Sequence, residues 1–149
     1  MDCRTFRLLI LLLFAAAPVH AAPPCAQTIR DLRALLGDPS FPLRWRETTM
    51  DDGKPLVVSI FERDGALFLS FVKTDEGLLA EGASAICTRD GELEARFSPG
   101  TTTFGPAAHW GTRYLLEGGI DFTLTRVGAA QARIETMGWS ATFAALRSD

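Results

Sequence analysis

Residues 56–73 read LVVSIFERDGALFLSFVK, two apolar runs on either side of Asp64-Gly65. Aspartate tolerates the left-handed turn conformation and glycine adopts it freely, so the pair lets the chain reverse tightly and the two runs pair as an antiparallel hairpin. Leu56 to Ile60 and Leu67 to Val72 carry large apolar groups on both parities, which predicts that this hairpin is covered on both faces.

The same punctuation recurs at Asp52-Gly53, Glu76-Gly77 and Asp90-Gly91, at intervals that suit an antiparallel meander. Upstream, Phe41, Leu43 and Trp45 alternate with polar neighbours. Strands are expected at residues 56–62, 66–74, 78–88 and 92–98, then, after a gap, at 112–117, 120–127, 131–137 and 139–145. Ile120, Phe122 and Leu124 alternate with Asp121, Thr123 and Thr125, so this later strand has one wet face. The fold class that follows is mainly β: a curved antiparallel sheet or small barrel, with a two-sheet sandwich as the alternative.

One short helix precedes the sheet. Thr28-Ile29-Arg30-Asp31 has the spacing of a capped start, and Ile29, Leu32, Leu35 and Leu36 recur at helical intervals before Gly37. Asp38-Pro39 and Pro42 then turn the chain away from helix.

The first 21 residues have the layout of a removable export signal: Arg4 and Arg7, an apolar run from Leu8 to Ala17, and a small residue at Ala21. That run is about half the length of a bilayer-spanning helix, so no stable membrane anchor is expected after cleavage. Lipidation of Cys25 is not expected, because Ala22-Pro23-Pro24 separates it from the cut. Cleavage leaves residues 22–149 as a single β-rich domain. It also takes two of the 15 basic and one of the 18 acidic residues, leaving 13 against 17, a formal charge of −4. No basic footprint for nucleic acid is present. Arginine greatly outnumbers lysine, and alanine and glycine are plentiful, a usage that points to a GC-rich bacterial genome and a periplasmic or secreted destination.

Of the three cysteines, Cys3 leaves with the signal and the pair Cys25 and Cys87 remains. In an oxidising compartment such a pair is expected to form a disulfide.

Chemistry-bearing residues are sparse. His109 is the only histidine outside the leader, no Gly-x-Ser-x-Gly elbow surrounds a serine, and one histidine with an oxidised cysteine pair cannot supply a zinc tetrad. Asp51-Asp52 and Asp75-Glu76 lack the spacing of a calcium loop and read as turn residues. Glu81, Glu94 and Glu117 read as solvated charges. No catalytic residue, metal or cofactor is assigned.

The least regular stretch, Ser98 to Gly111, holds Phe104 and Trp110 beside Gly105 and Gly111, expected to be flexible. Phe104, His109, Trp110, Arg113 and Tyr114 are therefore the candidate partner-binding residues. The resulting expectation is a small exported, non-enzymatic binding protein that engages another protein, as an inhibitor or protective partner, through these loops. The alternative is a carrier of a small apolar ligand or lipid inside a barrel lined by Phe61, Leu69, Phe71 and Phe122.

Overall fold

The computed structural model describes residues 22–49, 53–117 and 119–147, with the side chains of Ser98 and Pro99 outside the description. The expected leader and its cleavage site, and the Asp51 and Asp52 of the first expected turn, lie outside the described residues. Nine strands and two helices follow in the order β1 (Cys25–Ala26), α1 (Ile29–Leu36), β2 (Arg44–Glu47), β3 (Leu56–Arg63), β4 (Ala66–Lys73), β5 (Gly77–Arg89), β6 (Glu92–Phe104), α2 (Trp110–Glu117), β7 (Asp121–Gly128), β8 (Gln131–Thr136) and β9 (Trp139–Ala145).

Turn chemistry sets the meander. Asp64 and Gly65 have φ of 52° and 75°, and Asp90 and Gly91 have 51° and 82°. Each pair forms a two-residue loop between directly opposed residues, Arg63 with Ala66 and Arg89 with Glu92. Between β4 and β5 the loop has three residues, and the left-handed positions are Asp75 and Gly77 rather than Glu76 and Gly77.

Each strand from β2 to β9 pairs antiparallel with its sequence neighbour, and β2 pairs with β9 through Trp45 with Ala145, Arg46 with Ala144 and Glu47 with Phe143. This closes an eight-stranded barrel and decides against the sandwich. The inward face is filled by side chains: Trp45, Val58, Ile86, Phe97, Ile134 and Phe143 are fully buried. Phe71, Phe97 and Phe122 meet with ring centroids 4.9 to 5.6 Å apart. Eight strands leave an interior just wide enough for such packing.

The outer face of the first hairpin departs from expectation. Val57, Phe61, Phe68 and Val72 are half-buried there, and Phe61 stacks on Phe68 at 5.6 Å with the Arg63 guanidinium lying over both rings. The main contacts of α1 are with β1 and β5, and those of α2 with β6. The apolar outer groups are thus shielded largely by one another and by an arginine.

The expected helix forms as read. Thr28 Oγ1 accepts from the Asp31 N–H at 3.1 Å, and Gly37 ends the helix at φ 63°. Leu32 and the following Phe41 are fully buried, which places α1 at the barrel end formed by the β3–β4, β5–β6 and β7–β8 turns. Arg126 on β7 fastens the helix exit: it donates to Asp38 Oδ2 at 2.6 Å and lies over the Phe41 ring.

Beside α1, Cys25 and Cys87 are directly opposed across β1 and β5 and form a disulfide. It ties the start of the described chain to the sheet, where the Thr88 N–H also donates to Pro24 O at 2.9 Å.

Two expectations are corrected. Residues 112–117 belong to α2 rather than to a strand, because Thr112 and Leu116, four apart, face inward while Trp110, Arg113 and Tyr114 face water. Ser98 to Phe104 is not an irregular loop but the continuation of β6. Opposite Ala83 the strand bulges through residues 98–101, then resumes pairing as Gly82 with Thr102 and Ala80 with Phe104. A Cβ on Gly82 would stand 3.0 Å from Thr102 Oγ1 and 3.1 Å from the Phe97 ring, so glycine suits this crowded crossing.

Replacing both cysteines by alanine is expected to lower the unfolding free energy by up to about 4 kcal/mol, the loop-entropy value for a closed loop of this size. Equilibrium denaturation of the oxidised and cysteine-free proteins measures this, and coincident midpoints would remove the disulfide from the stability account. A second expectation concerns Asp38, whose pKa is lowered by hydrogen bonds from Ser40 and from Arg126. A lowered folded pKa means stability that is complete above about pH 4, the ordinary aspartate range, and lost as pH falls through the folded value. The acid limb of a stability-against-pH curve should therefore flatten in Asp38→Asn, and an unaltered limb would contradict the assignment.

Candidate functional site

The second barrel end carries the β2–β3 and β4–β5 connections, the β6-to-β7 connection with α2, and the β8–β9 turn. Its geometry starts at Gly105. The Gly105 N–H donates to Leu79 O at 3.3 Å and the Ala107 N–H to Leu78 O at 3.1 Å, so the chain leaving β6 lies flat against β5. A Cβ on Gly105 would stand 2.2 Å from Leu78 O. The expectation of flexibility there is corrected: this glycine permits a close backbone approach.

Five candidate partner-binding residues fall on or beside α2 and have different surroundings. Phe104, at the end of β6, is half-buried against the core, and the Arg113 guanidinium lies 5.2 Å from its ring centre. Phe104 therefore closes the barrel end, with Arg113 as its outer cover. His109 is exposed at the helix entrance, where its carbonyl accepts from the Arg113 N–H at 2.9 Å, and its ring has no hydrogen-bond partner among the described residues.

Trp110 and Tyr114, one helical turn apart, lie almost parallel at 14° with ring centres 5.7 Å apart. They are 81% and 67% exposed. Leu115 is also exposed, while Leu116 on the opposite face is buried and holds the helix to the barrel. At the same end, Met137 is 78% exposed in the β8–β9 turn, and Trp139 next to it packs an edge toward Phe143 while remaining partly exposed. The Thr136 hydroxyl donates to Asp121 O at 2.9 Å, fastening this turn to the start of β7. Five of the seven large exposed apolar side chains among the described residues thus share one end. Met137 and Trp139 were missing from the sequence candidates; their signal was the short apolar turn Met137-Gly138-Trp139 between two alternating strands.

The charges at this end are mainly carboxylates. Glu76 has its pKa lowered, chiefly by the hydrogen bond from Lys54 at 2.8 Å. Asp121 pairs with Arg96 at 3.6 Å. Asp75, Glu117 and Glu135 are exposed and have no ion-pair partner among the described residues.

Of the side chains expected to line a ligand cavity, Leu69, Phe71 and Phe122 face inward and pack against other side chains, whereas Phe61 stands on the outer face. Two surface grooves are open to solvent, one along α1 past Arg30, Arg33 and Pro39, the other near the disulfide where β4 and β5 part beside Ala66, Ala83 and Ala85. Among the described residues no group of three or more His, Cys, Asp or Glu side chains converges as a set of metal ligands. Comparison with protein-family models, curated proteins and solved structures finds no match to this chain.

These surroundings predict opposite sensitivities within one short segment. Trp110→Ala should change stability by less than about 0.5 kcal/mol, the scale of an exposed i,i+4 ring pair on a helix. Leu116→Ala should cost about 2–5 kcal/mol, and Gly105→Ala about 1–3 kcal/mol through overpacking. Thermal or denaturant unfolding of the three variants checks the order, and a strongly destabilised Trp110→Ala would show that the tryptophan is structural.

Proposed function

We propose that this protein is a small exported binding protein that engages another protein through the α2 end of its barrel. The observation that carries the reading is the stacked Trp110–Tyr114 pair, held outward on a helix that its opposite face anchors to a filled barrel. Burying large aromatic side chains supplies much of the energy of protein recognition, and a rigid pair loses little conformational freedom on binding. Met137 and Arg113 add residue types that concentrate at interfaces. The scaffold fits this role, because a barrel packed with aromatic side chains presents α2 without rearranging its core. The Cys25–Cys87 disulfide is consistent with an oxidising, exported location.

Immobilised oxidised protein should retain a partner from an extracellular or periplasmic extract, and the double variant Trp110→Ala/Tyr114→Ala, with unchanged circular dichroism and melting temperature, should lose it. Retention by both proteins would move the contact elsewhere. Native mass spectrometry revealing a stoichiometric apolar ligand would turn the reading toward a carrier.

A further inference from the structure

Resting on that reading, we infer that the α2 end receives a positively charged polypeptide surface, whose arginine or lysine side chains stack on Trp110 and Tyr114 within a frame of unpaired carboxylates.

Three observations converge on this partner. First, the Trp110 and Tyr114 rings lie nearly parallel and exposed, with broad electron-rich faces available to a cation. Tryptophan and tyrosine attract guanidinium and ammonium groups at such faces, and the attraction grows as the pair is desolvated. The chain already uses this contact internally, with Arg113 over Phe104, Arg63 over Phe61 and Phe68, and Arg126 over Phe41.

Second, carboxylates at this end outnumber the cations paired with them. Asp75, Glu117 and Glu135 are exposed without an ion-pair partner among the described residues, while Lys54 is paired with Glu76, Arg96 with Asp121, and Lys73 is engaged; Arg113, the one cation on α2, lies over the Phe104 ring. An incoming anion would meet carboxylates whose charge is uncompensated; an incoming cation would complete them.

Third, the fold fastens these groups to one end. A Cβ on Gly77 would stand 3.4 Å from Pro106, so the turn bearing Asp75 packs against the approach to α2. Glu117 ends α2, and Glu135 lies beside the β8–β9 turn that Thr136 ties to the start of β7. Among the described residues no large aromatic side chain is exposed at the opposite end, whose exposed large apolar residues are Leu35 and Val127.

The test uses an oligoarginine and an oligoglutamate peptide as probes of the oxidised protein, with binding followed by tryptophan fluorescence and calorimetry. Oligoarginine should bind and oligoglutamate should not, and affinity should fall as salt rises from about 50 to about 300 mM, as screening requires. Trp110→Ala/Tyr114→Ala should weaken oligoarginine by about tenfold or more, the scale of a desolvated cation–π contact. Glu117→Lys should weaken it further, whereas Glu62→Lys at the α1 end should leave it unchanged. Equal binding of both peptides, or oligoarginine affinity that survives loss of both aromatics, would overturn the inference. So would uncharged phosphatidylcholine vesicles binding through Trp110 in place of the peptide, which would assign the surface to a membrane. The inference and the reading beneath it fail separately. A captured partner that contacts α2 through an acidic or apolar surface sinks the inference alone, while peptide binding with no protein retained sinks the proposed function alone.

Discussion

Pairing of β2 with β9 converts a meander into a closed barrel, and the rest of the structure depends on it. These strands come from opposite ends of the described chain, and their register places Trp45 opposite Ala145 and Glu47 opposite Phe143. Once closed, the sheet has only a narrow interior, and large inward side chains must share it. Trp45, Phe97 and Phe143 are fully buried, and the Phe71, Phe97 and Phe122 rings lock together. Closure also satisfies the strand edges that an open sheet of this size would expose. Only β1 is added outside the ring, on the part of β5 that β4 leaves unpaired, and the disulfide holds it there.

A filled barrel leaves its two ends to distinguish themselves, and they do so through their helices. At one end, α1 spends its apolar face on the core: Leu32 is fully buried, Ile29 and Leu36 pack against the cluster, and Arg126 fastens the exit through Asp38 and Phe41. At the other, Leu116 and Phe104 supply the closure, and α2 still has its largest side chains, Trp110 and Tyr114, in water. The cost of holding such groups exposed is a physical reason to look there for function.

Legibility followed the range of the interactions. The Asp64-Gly65 and Asp90-Gly91 hairpins were readable because the left-handed preference resides in the turn residues themselves. The helix over 29–36 was readable because its cap, stripe and terminating glycine all lie within ten residues. The segment 112–117 was expected to continue the meander, while the i to i+4 spacings of Trp110 with Tyr114 and Thr112 with Leu116 carried the helix signal. The strand expected to stop at residue 98 runs on, because β5 is long enough to offer β6 new partners beyond the bulge. At the site, Trp110 and Phe104 looked equivalent in sequence; packing made Phe104 part of the closure and left Trp110 in solvent. Met137 was passed over and Trp139 was read as packing, because nothing local to their turn indicates that it shares an end with α2.

The sequence by itself determined the mainly β class, the Asp64-Gly65 and Asp90-Gly91 reversals, where the first helix starts and stops, and that Cys25 and Cys87 can pair. Each is a property of a few adjacent residues or of composition. Tertiary structure decided that the sheet closes, that its interior is filled, that Gly105 is a packing contact, and that aromatic and acidic groups from separate turns meet at one end. Those outcomes depend on contacts between residues far apart in the chain, and a pattern of alternating side chains is the same whether a sheet closes on itself or stacks on another.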